Sequence, residues 1–423
     1  MAGPIKTLLT ARKTGGRTVD SRDLVDEYLA KEFSRRQLLQ GALAAAALAG
    51  CSSGTSATTP ARDAGTSGDA PPTDTGPVVQ DAGTPPATHL VGIGQDADMP
   101  TAADRAASQM GGFDFVQSGQ RVFLKVNSNS GDPYPYSTSP DMVRWVVGKV
   151  RERGAEVFVG DRSFWGDRNT MANLTRNGVK DVCDELGVDL VAFGDTASGD
   201  ATSVDWMDLP TTGDLVGARS AVWSGTMRIP AMVAQADHVI ALPVVKTHFI
   251  ATFTMGMKIM IGLINPMDRS RSANLGNHDG SVHGRLFKQV AYMNKSLPTV
   301  SLVVLDGHQA LLTGGPTVSD RPPNAPASWA PITGEPHVVI LSRDRVAADA
   351  TGVALLRQLA PTYELVVRDT SVWSNRQMSV ALTSGLGITG PEMYDLGGDV
   401  SIMHRDGHTL DTAAFLAAVT ATA

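Results

Sequence analysis

Short runs of β-branched and aliphatic residues recur along this chain at Arg121–Val126, Glu156–Val159, Leu190–Phe193, His238–Val245, Val300–Leu305 and His337–Leu341. Runs this continuously apolar lack the alternation of a half-exposed strand and predict a sheet covered on both faces. The segments between them have helical spacing. In Pro140–Gly154, Val143, Val146, Val147 and Val150 fall on one face, and Gly154 supplies a C-terminal stop. Met171–Gly187, Gly284–Ser296 and Val346–Leu359 read the same way. Strands alternating with helices predict an α/β fold, with a largely parallel or mixed sheet flanked by helices in one large domain over residues 89–423.

Composition narrows the partners. Of 423 residues, 42% are hydrophobic, enough for a sizeable core. The net charge of -7 carries no long basic run, which argues against a nucleic-acid partner. Two cysteines, Cys51 and Cys183, cannot build a disulfide framework or a four-cysteine zinc site. No intrinsic iron–sulfur cluster is expected for the same reason. Cys183 sits in a predicted helical stretch without a redox motif, so core packing is its expected role.

The first segment reads as an address. Arg35 and Arg36 precede an apolar run, Leu38 to Gly50, that is too short to span a bilayer, and the run closes on Leu48-Ala49-Gly50-Cys51. This resembles a twin-arginine signal ending in a lipobox, with Cys51 as the lipidation site over residues 1–51. The alternative is a buried Ala-rich helix. Residues 52–88, rich in Ser, Thr, Pro, Gly, Ala and Asp, carry too little apolar surface to offset the entropy of ordering and read as a disordered linker. The expected partners are the twin-arginine translocase during export and the membrane through the lipid. The expected location is the periplasmic or cell-surface side.

In open α/β sheets ligands bind beyond the carboxyl ends of the strands. The apolar runs deliver Lys125, Asn127 and Asn129, then Asp161 and Arg162, then Lys246, Thr247 and His248, then Asp306 and Asp344. Lys258 stands alone in the apolar stretch Met255–Ile261. A buried ammonium needs a carboxylate, a bound anion or a lowered pKa. Lys246, His248 and Lys258 are therefore the candidate catalytic groups for a small anionic ligand, and Lys125, Asn127, Asp161 and Asp306 the candidate binding groups. A structural salt bridge from Lys258 to a core aspartate is the alternative. Asn277–His283 places His278, Asp279 and His283 together as candidate ligands for a divalent metal, or simply as loop residues around an Asp-Gly turn.

Taken in order, Lys125-Val126-Asn127, Pro243 with Lys246-Thr247-His248, Met257-Lys258 with Gly262, Asp306-Gly307, Gly315-Pro316 and Asp344–Asp349 resemble the bacterial and archaeal family called domain of unknown function 362. The resemblance covers roughly Val122 to Leu396. It implies no general activity. Many relatives look like iron–sulfur proteins through an added ferredoxin-type cysteine module, which this chain lacks. Ile259 also stands where the family usually has asparagine after the second lysine. Three functions are expected to compete. The first is an exported protein that binds or acts on a small anion, the second a metal-dependent hydrolase or isomerase, and the third a non-catalytic component of an exported redox or envelope assembly.

Overall fold

The apolar runs pair into one twelve-stranded sheet. The structure, a computed structural model, describes residues 89–163, 169–194, 202–209, 227–266, 268, 283–297, 300–322 and 324–422. The expected signal and linker lie outside the described residues. In chain order the strands are β1 (Val91–Gln95), β2 (Arg121–Val126), β3 (Glu156–Asp161), β4 (Asp189–Gly194), β5 (Thr202–Ser203), β6 (Trp206–Asp208), β7 (Arg228–Pro230) and β8 (His238–Leu242). There follow β9 (Val244–His248), β10 (Thr252–Thr254), β11 (Val300–Leu311), β12 (Thr333–Gly334), β13 (Val338–Ser342), β14 (Leu396–Gly397), β15 (Ser401–Met403) and β16 (Thr409–Asp411).

The main sheet runs β14-β1-β13-β11-β8-β2-β3-β4-β5, with β9 and β10 branching from β11. From β11 to β5 every pairing is parallel. Along this path only β13 runs against its neighbours, β1 and β11, and off the path β10 and β12 pair antiparallel with β9 and β11, so the sheet is mixed but largely parallel. The expected α/β architecture is thus the one observed. Two further two-stranded antiparallel sheets, β6–β7 and β15–β16, are separate from it.

The helix Pro140–Glu152 buries Val143, Val146, Val147 and Val150 as its spacing requires. It starts where Ser139 accepts from the Asp141 amide at 3.2 Å, with Pro140 in the first turn, where its missing N–H costs nothing. Its face packs into a core that includes Val122, Leu124 and Val126 of β2 and Val159 of β3.

Four expectations change in detail, each for a local reason. The run His238–Val245 is two strands rather than one, because Pro243 has no N–H to give to a ladder; its carbonyl instead accepts from Asp306 N at 2.9 Å. Lys246, Thr247 and His248 are therefore inside β9 instead of in a loop beyond a strand. Met171–Gly187 is two helices, Thr170–Arg176 and Val179–Leu186, parted at Asn177-Gly178, where Gly178 has φ +82°. The run from Val300 continues to Leu311, which puts Asp306 in mid-strand. His337 has φ +57° and precedes β13 instead of opening it.

Leu124 has no exposed surface and belongs to this core. Leu124→Ala should lower unfolding stability by about 2–5 kcal/mol, whereas Val318→Ala at a half-exposed site should shift it by less than about 0.5 kcal/mol. Urea unfolding followed by circular dichroism checks both.

Candidate functional site

In a parallel sheet the carboxyl ends of adjacent strands lie side by side, so β2 and β3 bring Lys125 and Asp161 together. Lys125 Nζ donates to Asp161 Oδ1 at 2.6 Å and to Val126 O at 2.7 Å, and both side chains are almost fully buried. Asp161 is further satisfied by the Ser128 amide on Oδ2 and the Arg162 amide on Oδ1, each at 2.7 Å. A pair this buried is tolerated only with its remaining lone pairs occupied, as they are here. Gly262 presses on it from the other side. A Cβ at Gly262 would overlap Asp161 Oδ1 and come within 2.8 Å of Lys125 Nζ, so only glycine lets the backbone this close.

Lys246 reaches the same place from β9. Its Cα partners are Thr254 on β10 and Leu311 on β11, and the residue has no exposed surface. Its ammonium donates to the Tyr136 carbonyl. Burial pulls Lys246 down to about 7, against the attraction of Asp161, Asp132 and Asp320 and with help from the Lys125 charge. Asn127 is positioned through Thr138, whose hydroxyl accepts from the Asn127 amide at 2.7 Å and donates to Leu242 O at 2.6 Å.

Lys258 opens a 3-10 helix, Lys258–Leu263, and is 7% exposed. The turn that delivers it is held from below by Asp349, in the helix Arg345–Leu359, whose carboxylate accepts from Gly256 N at 2.7 Å and Met257 N at 3.0 Å. Asn294 donates to Met257 O at 2.8 Å and accepts from Arg345 at 2.8 Å. Burial pushes the Asp349 carboxyl up to about 7, with the two amides opposing. Asp344 caps the same helix through the Val346 and Ala347 amides and also takes Ile388 N at 2.7 Å.

These elements enclose one cleft. Lys125, Asn127, Asn129, Asp161, Arg162, Lys246, Thr254, Lys258, Ile259, Ile261, Gly262 and Pro316 line it, and its cavity is about 40 Å³. A single water needs about 10–15 Å³, so a ligand of a few heavy atoms fits. Its lining is rich in hydrogen-bond donors. Two polar atoms on it, Asn127 Nδ2 and Thr254 Oγ1, are buried and have no hydrogen-bond partner. Such atoms cost about 1–3 kcal/mol each unless something meets them.

Of the candidate catalytic and binding groups, Lys125, Asn127, Asp161, Lys246 and Lys258 meet at this cleft, and Asn129 and Arg162 from the same strand ends line it too. Two do not line it. His248 Nδ1 accepts from Ile250 N at 3.1 Å and Ala251 N at 3.2 Å, closing the β9–β10 turn. Asp306 Oδ1 accepts from Tyr134 Oη at 2.7 Å and from His308 N at 3.0 Å, whereas Asp306 Oδ2 is buried without a partner. Burial pushes Asp306 up to about 7 and raises the Tyr134 phenol as well. Cys51, His278 and Asp279 lie outside the described residues, and of His283 only its place at the start of the helix His283–Ser296 is described. Among the described residues no three His, Cys, Asp or Glu side chains are close enough to hold a metal ion. No described helix is long and apolar enough to cross a membrane. Cys183 is buried, and burial pushes its thiol up to about 12.

Sequence reasoning missed Tyr134, Tyr136 and the role of Thr254. The segment Gly131–Ser139 carries both tyrosines among prolines in a stretch that looks like loop, and its only signal was that concentration of aromatic and proline residues.

A family model described as domain of unknown function (DUF362) matches residues 122–354, more than half of the chain, and the chain belongs to that family. It is 27% identical over 215 residues to the thylakoid-associated protein sll1697 of Synechocystis, a match that covers 50% of this chain and 59% of that protein's length. Among solved structures, the lactate racemase apoprotein from Thermoanaerobacterium thermosaccharolyticum aligns with a TM-score of 0.33 and 12% identity, over 60% of this chain and 56% of that one.

The raised Asp306 carboxyl makes a signed prediction. A group at about 7 in the folded chain and near 3.8 when unfolded favours folding most below pH 3.8, and that contribution is lost as pH rises toward 7. Asp306→Asn keeps an acceptor for Tyr134 and His308 but cannot ionise. Its melting temperature should fall less than the wild type's between about pH 4 and 7, as read by thermal scans across that range.

Proposed function

We propose that this DUF362 domain binds a small oxyanion, a carboxylate or phosphate, in the cleft at the carboxyl ends of β2 and β3, with Lys246, Lys258, Asn127 and Thr254 as the groups that face it. The observation that carries the reading is the pair of unpartnered buried polar atoms, Asn127 Nδ2 and Thr254 Oγ1, on a wall shared with three buried lysines. An oxyanion satisfies both atoms at once and sets negative charge beside Lys246, whose desolvated ammonium is held by a neutral carbonyl. Lys125 already has its carboxylate in Asp161, so its part is to hold the wall rather than the ligand. The small cavity favours ligands on the scale of acetate, phosphate or lactate.

Thr254→Val tests the assignment, because it removes a hydroxyl that has no partner in the folded chain. Stability should hold or rise, and affinity for acetate or phosphate, measured by calorimetry on the full chain, should fall about tenfold, the equivalent of a charged hydrogen bond of about 1.5 kcal/mol. Unchanged affinity would count against the cleft as the binding site.

Residues 1–51 we read as a twin-arginine lipoprotein signal and 52–88 as a tether, which would place the domain outside the cytoplasm. The support is the order Arg35-Arg36, apolar run, Cys51. Metabolic labelling with a radioactive fatty acid should mark the wild type and not Cys51→Ala, and Arg35→Lys with Arg36→Lys should leave the chain in the cytoplasm.

A further inference from the structure

The buried lysines of the cleft differ in what holds them. Lys125 is committed to a carboxylate. Lys246, with no exposed surface, makes its one hydrogen bond to a neutral carbonyl, that of Tyr136, and has no ion-pair partner among the described residues. An amine held by a carbonyl uses one hydrogen for that bond and keeps its nitrogen lone pair clear whenever it is neutral. Thr254, its register partner on β10, adds an unpartnered hydroxyl on the same cavity wall.

Resting on the anion-binding reading above, we propose that Lys246 Nζ forms an imine with the carbonyl carbon of a small 2-oxo acid whose carboxylate the cleft holds. Lys258 and Asn127 take the carboxylate, and the Thr254 hydroxyl donates to the carbonyl oxygen. The Lys246 lone pair attacks the carbonyl carbon and forms the C–N bond. The carbonyl oxygen then departs as water with both amine hydrogens, leaving C=N. No oxidant or second reactant is consumed. The ligand's carboxylate sets the geometry, and burial of Lys246 disfavours its charged form, which is how lysines are activated for carbonyl chemistry. The charges facing Lys246 are Asp161, Asp132, Asp320 and Lys125, with Arg162 and Lys258 on the same cleft. Desolvation outweighs them and pulls the amine down to about 7, so that a large share of it is neutral near physiological pH.

The test is reductive trapping. Full-length protein is incubated with pyruvate and sodium cyanoborohydride, then analysed by intact mass and peptide mapping, with calorimetry of acetate, phosphate and pyruvate alongside. The expected product is one adduct on Lys246, heavier than the protein by the oxo acid less one oxygen. Trapping should be blocked by excess acetate and should run about tenfold faster near pH 8 than near pH 6, following the neutral amine. Lys246→Arg, whose guanidinium has no available lone pair for the attack, should lose the adduct at least about tenfold. Pyruvate that binds without forming an adduct, or an adduct on Lys258 or spread over surface lysines, overturns the imine and leaves the anion site standing. No binding of any of the three anions overturns both. The map on wild-type protein decides the site even if Lys246→Arg fails to fold.

Discussion

Removing an ammonium group from water is the cost around which this domain is arranged. Three lysines, Lys125, Lys246 and Lys258, are at least nine-tenths buried at one end of a largely apolar sheet. Each is positioned by a different part of the fold. Lys125 is paired with a carboxylate one strand away, Lys246 is held by a loop carbonyl and shifted toward its neutral form, and Lys258 is delivered by a turn pinned from a distant helix. Because the Lys125–Asp161 pair is shielded from solvent, its strength depends on nothing else intruding, and this is what leaves room only for glycine at position 262.

The same economy explains why motif residues far from the cleft belong to it. Asp344 and Asp349 come from one helix, and neither lines the cavity. Asp344 starts the helix by satisfying its first amides, and Asp349 then presents its carboxylate to Gly256 and Met257, the two residues that precede Lys258. A short acidic side chain in a helix interior is unfavourable on propensity and doubly so when buried. Its backbone amide partners are what make it tolerable, and they fix the turn that carries the lysine. Tyr134 plays the corresponding part on the other side, tying the loop whose Tyr136 carbonyl holds Lys246 to Asp306 in the middle of β11. Asp306 thus acts on the cleft through the loop rather than from its wall.

Periodicity alone made the α/β class legible, since continuous apolar strands and 3.6-spaced helices are properties of neighbouring residues. It also placed Lys125 and Asp161 at strand ends, because a strand stops being apolar where its burial stops. What it could not show was where a strand would be broken and continued. Pro243 splits one apparent strand so that Lys246 points from within β9, and β11 runs on past its apolar stretch because β9, β12 and β13 pair along it. The isolated Lys258 signalled a site by its cost. Thr254 and Tyr136 gave no such signal, because a threonine in a strand or a tyrosine in a loop is unremarkable until its neighbours are known.

By itself the sequence determined the fold class and five of the candidate ligand-facing residues that meet at the cleft. Only the tertiary structure decided that His248 closes a turn, that Asp306 faces Tyr134, and that Lys246 is the buried lysine of β9 set against a carbonyl. The physical reason is that burial cost depends on the residue type and can be read along the chain, whereas the partner that offsets it comes from strands and loops up to more than a hundred residues away.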